Sequence, residues 1–181
     1  DTYHRWASRI HMAFFYYFKS LVQTDQGQLV LTPTYHLFNM YKAHRNKQSV
    51  AVDVQCDTIE SGEEGGQRDF FGSLPVEPAP TLPILTSSAS ISPDGTEVIL
   101  SITNRHLTDH VEANITIEGA GKPASGTVTL LTSNDVRDYN GADHLDRVAP
   151  ETDEYMPPDT AFSYTLPPHS ITTFELSCLS R

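Results

Sequence analysis

The sequence predicts a mainly β protein, an antiparallel β-sandwich over residues 47–181 with one helix ahead of it. Three observations point there. About seven or eight short runs after residue 48 alternate apolar and polar residues with a period of two, the mark of half-buried strands. Turn residues separate these runs at regular spacing, as in sandwiches. A single strong helix start, Thr32-Pro33, precedes them.

The helix is read first. Leu29, Val30 and Leu31 form a short extended apolar run. The Thr32 hydroxyl is an N-cap, and Pro33 sits at the first helical position, where its missing N–H costs nothing. Tyr35, Leu37, Phe38, Met40 and Tyr41 supply an apolar face at helical spacing. Lys42, His44 and Arg45 place positive charge against the negative end of the helix dipole, and Asn46 can end the segment. The spacing predicts a helix of about four turns reaching Arg45.

Residues 1–26 are ambiguous. Trp6, Ile10, Ala13, Phe14 and Tyr17 fit a helical stripe, while the aromatic run Phe14–Phe18 suits a buried strand equally well. That run is not a secretory signal: it is aromatic rather than Leu/Ala-rich, Lys19 interrupts it, and no small-residue cleavage site follows. No stretch approaches the ~20 apolar residues that span a bilayer.

After Asn46 the period changes from helical to alternating. Ser49–Cys56 alternates around Val50, Val52 and Val54 and is predicted as a strand. Thr58–Ser73 reads as a flexible Gly/Glu-rich loop. Pro75, Pro78, Pro80 and Pro83 make an extended connection, and so long a structureless stretch often marks contact with a neighbour. Ser88–Ser92 is a strand, turned by Pro93-Asp94-Gly95, since Pro presets φ and Gly accepts positive φ. Thr96–Asn104 places Val98, Leu100 and Ile102 on one face and Ile99 on the other. His110–Glu118 alternates again, Gly119–Gly126 is a loop and Thr127–Leu131 a strand. Thr132–Pro158 is a second long loop. Ala161–Leu166 and Ser170–Cys178 close the chain as two strands at hairpin-like spacing.

The totals exclude several functions. The chain has 181 residues, enough for one good-sized domain or one domain plus a fragment. A formal net charge of -11 argues against a nucleic-acid partner, and the only basic cluster, Lys42–Lys47, is more simply a helix end. Two cysteines, Cys56 and Cys178, make neither a disulfide framework nor a four-ligand zinc site, and are read as free thiols at strand ends.

The string Val30-Leu31-Thr32-Pro33-Thr34-Tyr35-His36, continued by Phe38, Met40-Tyr41-Lys42 and His44, resembles a segment of the α-L-arabinofuranosidases of glycoside hydrolase family fifty-one. Four later segments are similar to that family in the same order: Thr103–His106, Leu131–Val136, Asp146–Pro150 and Leu166–Thr172. The resemblance implies a C-terminal jelly-roll-like antiparallel β-sandwich preceded by the last helix of a truncated (β/α)8 barrel. Residues 1–46 are then the remnant of the catalytic barrel end, with 1–18 left unassigned, and residues 47–181 the sandwich. In the family an Ala-Asn…Gln barrel strand precedes the helix, and its Gln helps bind the arabinose ring. Met12-Ala13 aligns with its start, but Phe14–Lys19 carry neither the Asn nor the Gln. The family's sandwich also takes strand material from the enzyme's own N-terminus, which implies an unpaired sheet edge here.

The parent reaction so implied is hydrolysis of terminal non-reducing α-L-arabinofuranosyl groups of arabinan or arabinoxylan, with retention. Retaining glycosidases need two carboxyl groups about 5–5.5 Å apart. In the family both are glutamates on barrel strands that precede the matched region, and neither carries over to a residue of this chain. Glu60, Glu63 and Glu64 are assigned to a loop, and Glu97, Glu112, Glu118 and Glu175 to outward strand positions. No catalytic, substrate-binding or metal residue is assigned, and no cofactor. His106 and His110 flank a turn, where a spacing of four makes no metal pair. His36 and His44, two turns apart on the helix, are read as hydrogen-bonded structural histidines. Asn114-Ile115-Thr116 matches the glycosylation acceptor but lies in a predicted strand.

The expected partners are the catalytic barrel of the same chain and, through it, arabinose-containing oligosaccharides. Association of copies of the chain is left open, no nucleic acid or membrane partner is expected, and cytoplasmic is the default location. The alternative is a stand-alone carbohydrate-binding or structural sandwich. A binding module needs exposed aromatic platforms; Trp6 falls outside the sandwich, and Tyr139, Tyr155 and Tyr164 are scattered.

Overall fold

The computed structural model describes residues 21–60 and 81–179. The N-terminal aromatic run, Glu63, Glu64 and the prolines at 75, 78 and 80 lie outside them. In chain order the elements are β1 (Val22–Asp25), β2 (Gln28–Leu31), α1 (Pro33–Met40) with a 3-10 turn at Tyr41–His44, β3 (Gln48–Val50), β4 (Thr58–Glu60), β5 (Thr81–Pro83), β6 (Leu85–Ile91), β7 (Glu97–Asn104), β8 (Val111–Thr116), β9 (Pro123–Leu131), β10 (Glu151–Glu154), β11 (Ala161–Leu166) and β12 (Ser170–Cys178).

A six-stranded antiparallel sheet, ordered β10-β9-β12-β7-β6-β3, forms the large layer, and β8 with β11 forms the small one. The mainly β antiparallel sandwich expected from the alternation is therefore present. Its core lies where strand periodicity puts it. Val98, Leu100 and Ile102 of β7 and Phe174 and Leu176 of β12 point inward with Phe162 and Leu166 of β11. Phe174 is fully buried. The Tyr164 ring meets it edge-on, with centroids 4.9 Å apart and planes at 89°, an arrangement that the ring quadrupoles favour.

Turn chemistry fixes the joints. Gly95 N–H donates to the Ser92 carbonyl at 2.9 Å and Gly95 takes φ +75°, as the Pro93-Asp94-Gly95 signal requires. Hydrogen bonds from Ser92 and Thr96 hold the Asp94 carboxyl at about 2, below the ordinary carboxylate range. Asn104 is buried at the end of β7, where its side-chain amide donates to the carbonyls of Leu166 and Pro167 and its oxygen accepts from His106 N–H.

Several expectations are corrected. The helix ends at Met40, because the last turn tightens to a 3-10 geometry that swings His44 over the large sheet. Its buried line is His36, Met40 and His44, whereas Phe38 is 43% exposed, so tertiary contacts override the apolar pattern. The strand expected over Ser49–Cys56 pairs only through Gln48–Val50. The chain then leaves the ladder, exposing Val52 and laying Val54 and Cys56 on the core. Thr58–Glu60, assigned to a loop, pairs with Thr81–Pro83. Glu151–Glu154, also assigned to a loop, is an edge strand whose exposed acidic side chains lack any apolar alternation to reveal it. The last two strands are not a hairpin: β11 pairs with β8 and β12 with β7 and β9, so the chain crosses between layers at Pro167–His169.

The strand β9 starts at Pro123, inside the expected loop 119–126. Gly126 marks it not as a turn but as a close approach. A Cβ there would lie 2.6 Å from the Glu175 carbonyl oxygen and 2.7 Å from Leu176 Cδ2. Gly126→Ala is expected to lower stability by about 1–3 kcal/mol, the usual cost of overpacking, since the backbone carbonyls of Glu175 and Tyr155 are in the way as well as the Leu176 side chain. Urea unfolding of the two proteins measures it, and an unchanged midpoint would contradict the packing described.

Candidate functional site

The middle of β7 and the first half of β12 are buried on both faces. The face away from the sandwich core carries Ser88, Ser90, Ser101 and Thr173, all buried, together with Ile99. Against this face lies the 3-10 turn after α1. His44 Nδ1 is 2.8 Å from Ser90 Oγ, and its Nε2 is 2.9 Å from Ser101 Oγ. Ser101 Oγ passes the chain on to Thr173 Oγ1 at 2.9 Å. Tyr41 reaches Ser88 through its side chain, and burial raises its phenol above the ordinary value. Beside this polar seam sits a small apolar cluster: Met40, Leu131 and Val148, with Leu37 and Ile171 packed on it.

Two further ties hold the helix start. The Thr32 hydroxyl accepts from Tyr35 N–H at 3.3 Å and donates to the Leu21 carbonyl at 2.9 Å, so the cap also anchors β1. Asn140, buried in the loop before β10, donates to the carbonyls of Leu31 and Val148 and accepts from Val148 N–H, each at 2.8 Å. The Asp25 carboxylate accepts from Ala142 N–H at 3.0 Å. The long loop after β9 is a strap across the β1–β2 ribbon. That ribbon turns through Gln26 and Gly27, both at positive φ, the two-residue turn suited to strand twist. Asp25-Gln26-Gly27 was the available signal for it.

A groove of about 260 Å³ opens where these parts meet. Pro33, Thr34 and Leu37 form one wall; Leu131 to Ser133, Val136, Asp138, Val148, His169 and Ile171 form the rest. The segments that carry the family resemblance around residues 30–38, 131–136, 146–150 and 166–172 thus converge on one place. His169 takes φ +37° and faces the carbonyls of Leu107 and Ser133, each at 2.9 Å, joining the β7–β8 turn to the strap. Asp138, the carboxylate lining the groove, accepts from Asp135 N–H at 3.2 Å and lies 3.7 Å from the Arg147 guanidinium. Arg137 holds the neighbouring Asp135 carboxyl down at about 2. These groups build a joint, and one engaged carboxylate is not an acid–nucleophile pair.

The remaining residues singled out in the sequence fall elsewhere. Glu60, Glu97, Glu112, Glu118 and Glu175 are exposed. His106 Nδ1 accepts from Asp109 N–H at 3.0 Å within its turn, and His110 is exposed. Asn114 is exposed on β8, its oxygen taking a hydrogen bond from Ser163 Oγ at 2.8 Å. Cys56 and Cys178 are free thiols, and burial raises that of Cys178. Tyr155 and Tyr164 pack their rings against Phe174 in the core; Tyr139 is 64% exposed. No helix among the described residues is long and apolar enough to cross a membrane.

The family model described as the α-L-arabinofuranosidase C-terminal domain matches residues 2–170. An intracellular exo-α-L-arabinofuranosidase of Bacteroides ovatus is 26% identical over 181 residues, covering 97% of this chain and 32% of its own length. The α-L-arabinofuranosidase structure from Thermotoga maritima is 28% identical with a TM-score of 0.69, over 87% of this chain and 31% of that one. The family-fifty-one arabinofuranosidase of Xanthomonas axonopodis pv. citri shares the fold with a TM-score of 0.77 at 23% identity, over 98% of this chain and 33% of that one. The chain therefore spans about a third of the length of these relatives.

Two expectations follow from the junction. His36 is buried with Nε2 unpartnered; burial lowers its pKa below 6.5, and Asp146 opposes that only in part. The unfolded chain binds this proton more readily than the folded one. The His36 contribution to stability is thus complete above about pH 6.5 and lost as pH falls through the depressed folded value. Unfolding midpoints across that range should fall less steeply in His36→Gln, and parallel slopes would refute the assignment. Asn140→Ala leaves the carbonyls of Leu31 and Val148 and the Val148 N–H without their partner, costing on the order of 3 kcal/mol. Hydrogen exchange should then show residues 22–31 losing protection before the sandwich does.

Proposed function

The chain belongs to the α-L-arabinofuranosidase C-terminal domain family, and from that premise we propose that it serves as the accessory sandwich of a retaining exo-acting arabinofuranosidase. The whole protein would remove terminal non-reducing α-L-arabinofuranosyl groups from arabinan or arabinoxylan fragments. Its paired glutamates would lie on a (β/α)8 barrel in the same chain, with residues 1–46 belonging to the end of that barrel and 47–181 to the sandwich. The family match over residues 2–170 carries this reading. The junction supplies its physical content: a helix opened by Thr32-Pro33 is hydrogen-bonded and packed onto the outer face of the large sheet. Acidic side chains that are solvated or engaged in turns suit a bracing role, not hydrolysis. A cytoplasmic location is proposed with it, in keeping with the Bacteroides ovatus relative being named intracellular.

The purified 181-residue chain is expected not to hydrolyse a chromogenic α-L-arabinofuranoside and not to be retarded by arabinan in a native gel. Turnover abolished by replacing a glutamate of this chain would overturn the accessory reading. Retardation by arabinan or xylan would favour a carbohydrate-binding module instead.

A further inference from the structure

The seam under the helix is polar where an apolar one would hold as well, and its geometry is directional. His44 spans two neighbouring strands, with Ser90 on β6 and Ser101 on β7, at 2.8 and 2.9 Å. Thr173 on β12 extends the chain to a third strand. One turn earlier, Tyr41 reaches Ser88 on β6. The free energy of apolar burial has no directional preference of its own. Hydrogen bonds from one planar ring to two hydroxyls on different strands have one. The adjacent Met40–Leu131–Val148 cluster supplies adhesion without that constraint.

We propose that His44 is a positioning residue: it sets the rotation of α1 about its own axis relative to the sandwich, while the apolar cluster supplies the attachment. The rotation matters because α1 presents Phe38 and Asn39 outward, both exposed here. What the helix offers to a neighbouring element therefore depends on the seam. The inference rests on the geometry alone and does not require the proposed activity.

Replacing both sides of a buried hydrogen bond by apolar groups can be nearly neutral in stability, whereas removing one side strands the other. That separates adhesion from orientation. With Cys56→Ser and Cys178→Val as background, spin labels at Asn39→Cys and Glu112→Cys report the helix-to-sandwich distance. The parent should give one narrow distribution. His44→Leu alone should lower the melting midpoint, stranding Ser90 and leaving Ser101 only its Thr173 contact. The triple variant His44→Leu, Ser90→Ala, Ser101→Ala should recover part of that midpoint, the buried Thr173 hydroxyl having lost its Ser101 partner, yet give a broadened or split distance distribution. A triple variant that keeps the narrow parental distribution overturns the proposal. Should the triple variant not fold, the same labels in His44→Leu decide: broadening supports the proposal and an unchanged distribution overturns it.

Discussion

The burial of the middle of the large sheet on its outer face as well, at Ser90, Ile99, Ser101 and Thr173, is the constraint from which the rest follows. A strand at the centre of a sandwich normally buries one face and wets the other. Here Ser90 and Ser101 on the outer face are fully inaccessible, and Thr173 nearly so. Hydroxyls taken out of water without partners are costly. Thr173 and Ser101 serve one another, and the His44 ring serves Ser101 and Ser90. The sheet therefore depends on the helix for the satisfaction of its own interior. The helix depends on the sheet as well, because eight residues of α-helix are too short to persist alone in water.

The same constraint explains why the strap runs where it does. Once α1 is held on the outer face, the β1–β2 ribbon that feeds it must be held too, and its backbone ends need partners. Asn140 meets the Leu31 carbonyl and Asp25 meets Ala142 N–H, tying a loop after residue 131 to a ribbon before residue 32. His169 closes the arrangement from the third side by joining Leu107 to Ser133. These are contacts between side chains and backbone across large sequence separations. Together they make the helix part of the sandwich's hydrogen-bonded structure and not an appendage resting on it.

Much of the sandwich was legible because alternation reports burial on one face. β7, β8, β11 and β12 read correctly to within a residue or two for that reason, and Ile99 was placed on the opposite face from Val98, Leu100 and Ile102. What alternation cannot report is pairing. The short Pro167–His169 link looked like a hairpin, yet His169 at positive φ turns the chain from one layer to the other. Edge strands were the second blind spot: Glu151–Glu154 is wholly exposed, so no side chain records its ladder. Glycine misled once, since Gly126 lies in a strand where the neighbouring backbone leaves no room for a Cβ. The junction was the least visible part. Serines and threonines on an outward strand face read as solvated, and only the placement of His44 shows that they are interior.

A domain whose acids are solvated or bound up in turns can still govern chemistry elsewhere if it governs position. Catalytic constellations tolerate displacements of only about 0.5 Å, and elements packed on a rigid scaffold hold such limits better than loops do. A purely apolar contact between helix and sheet would fix orientation by shape alone, without a directional term. A seam that threads one imidazole between hydroxyls on adjacent strands adds that term, because a rotation that withdraws the ring takes from the buried Ser90 hydroxyl its His44 partner. The Ser/Thr-rich outer face thus has a physical rationale that neither solubility nor stability provides: it trades burial of aliphatic surface for a single orientation of the helix.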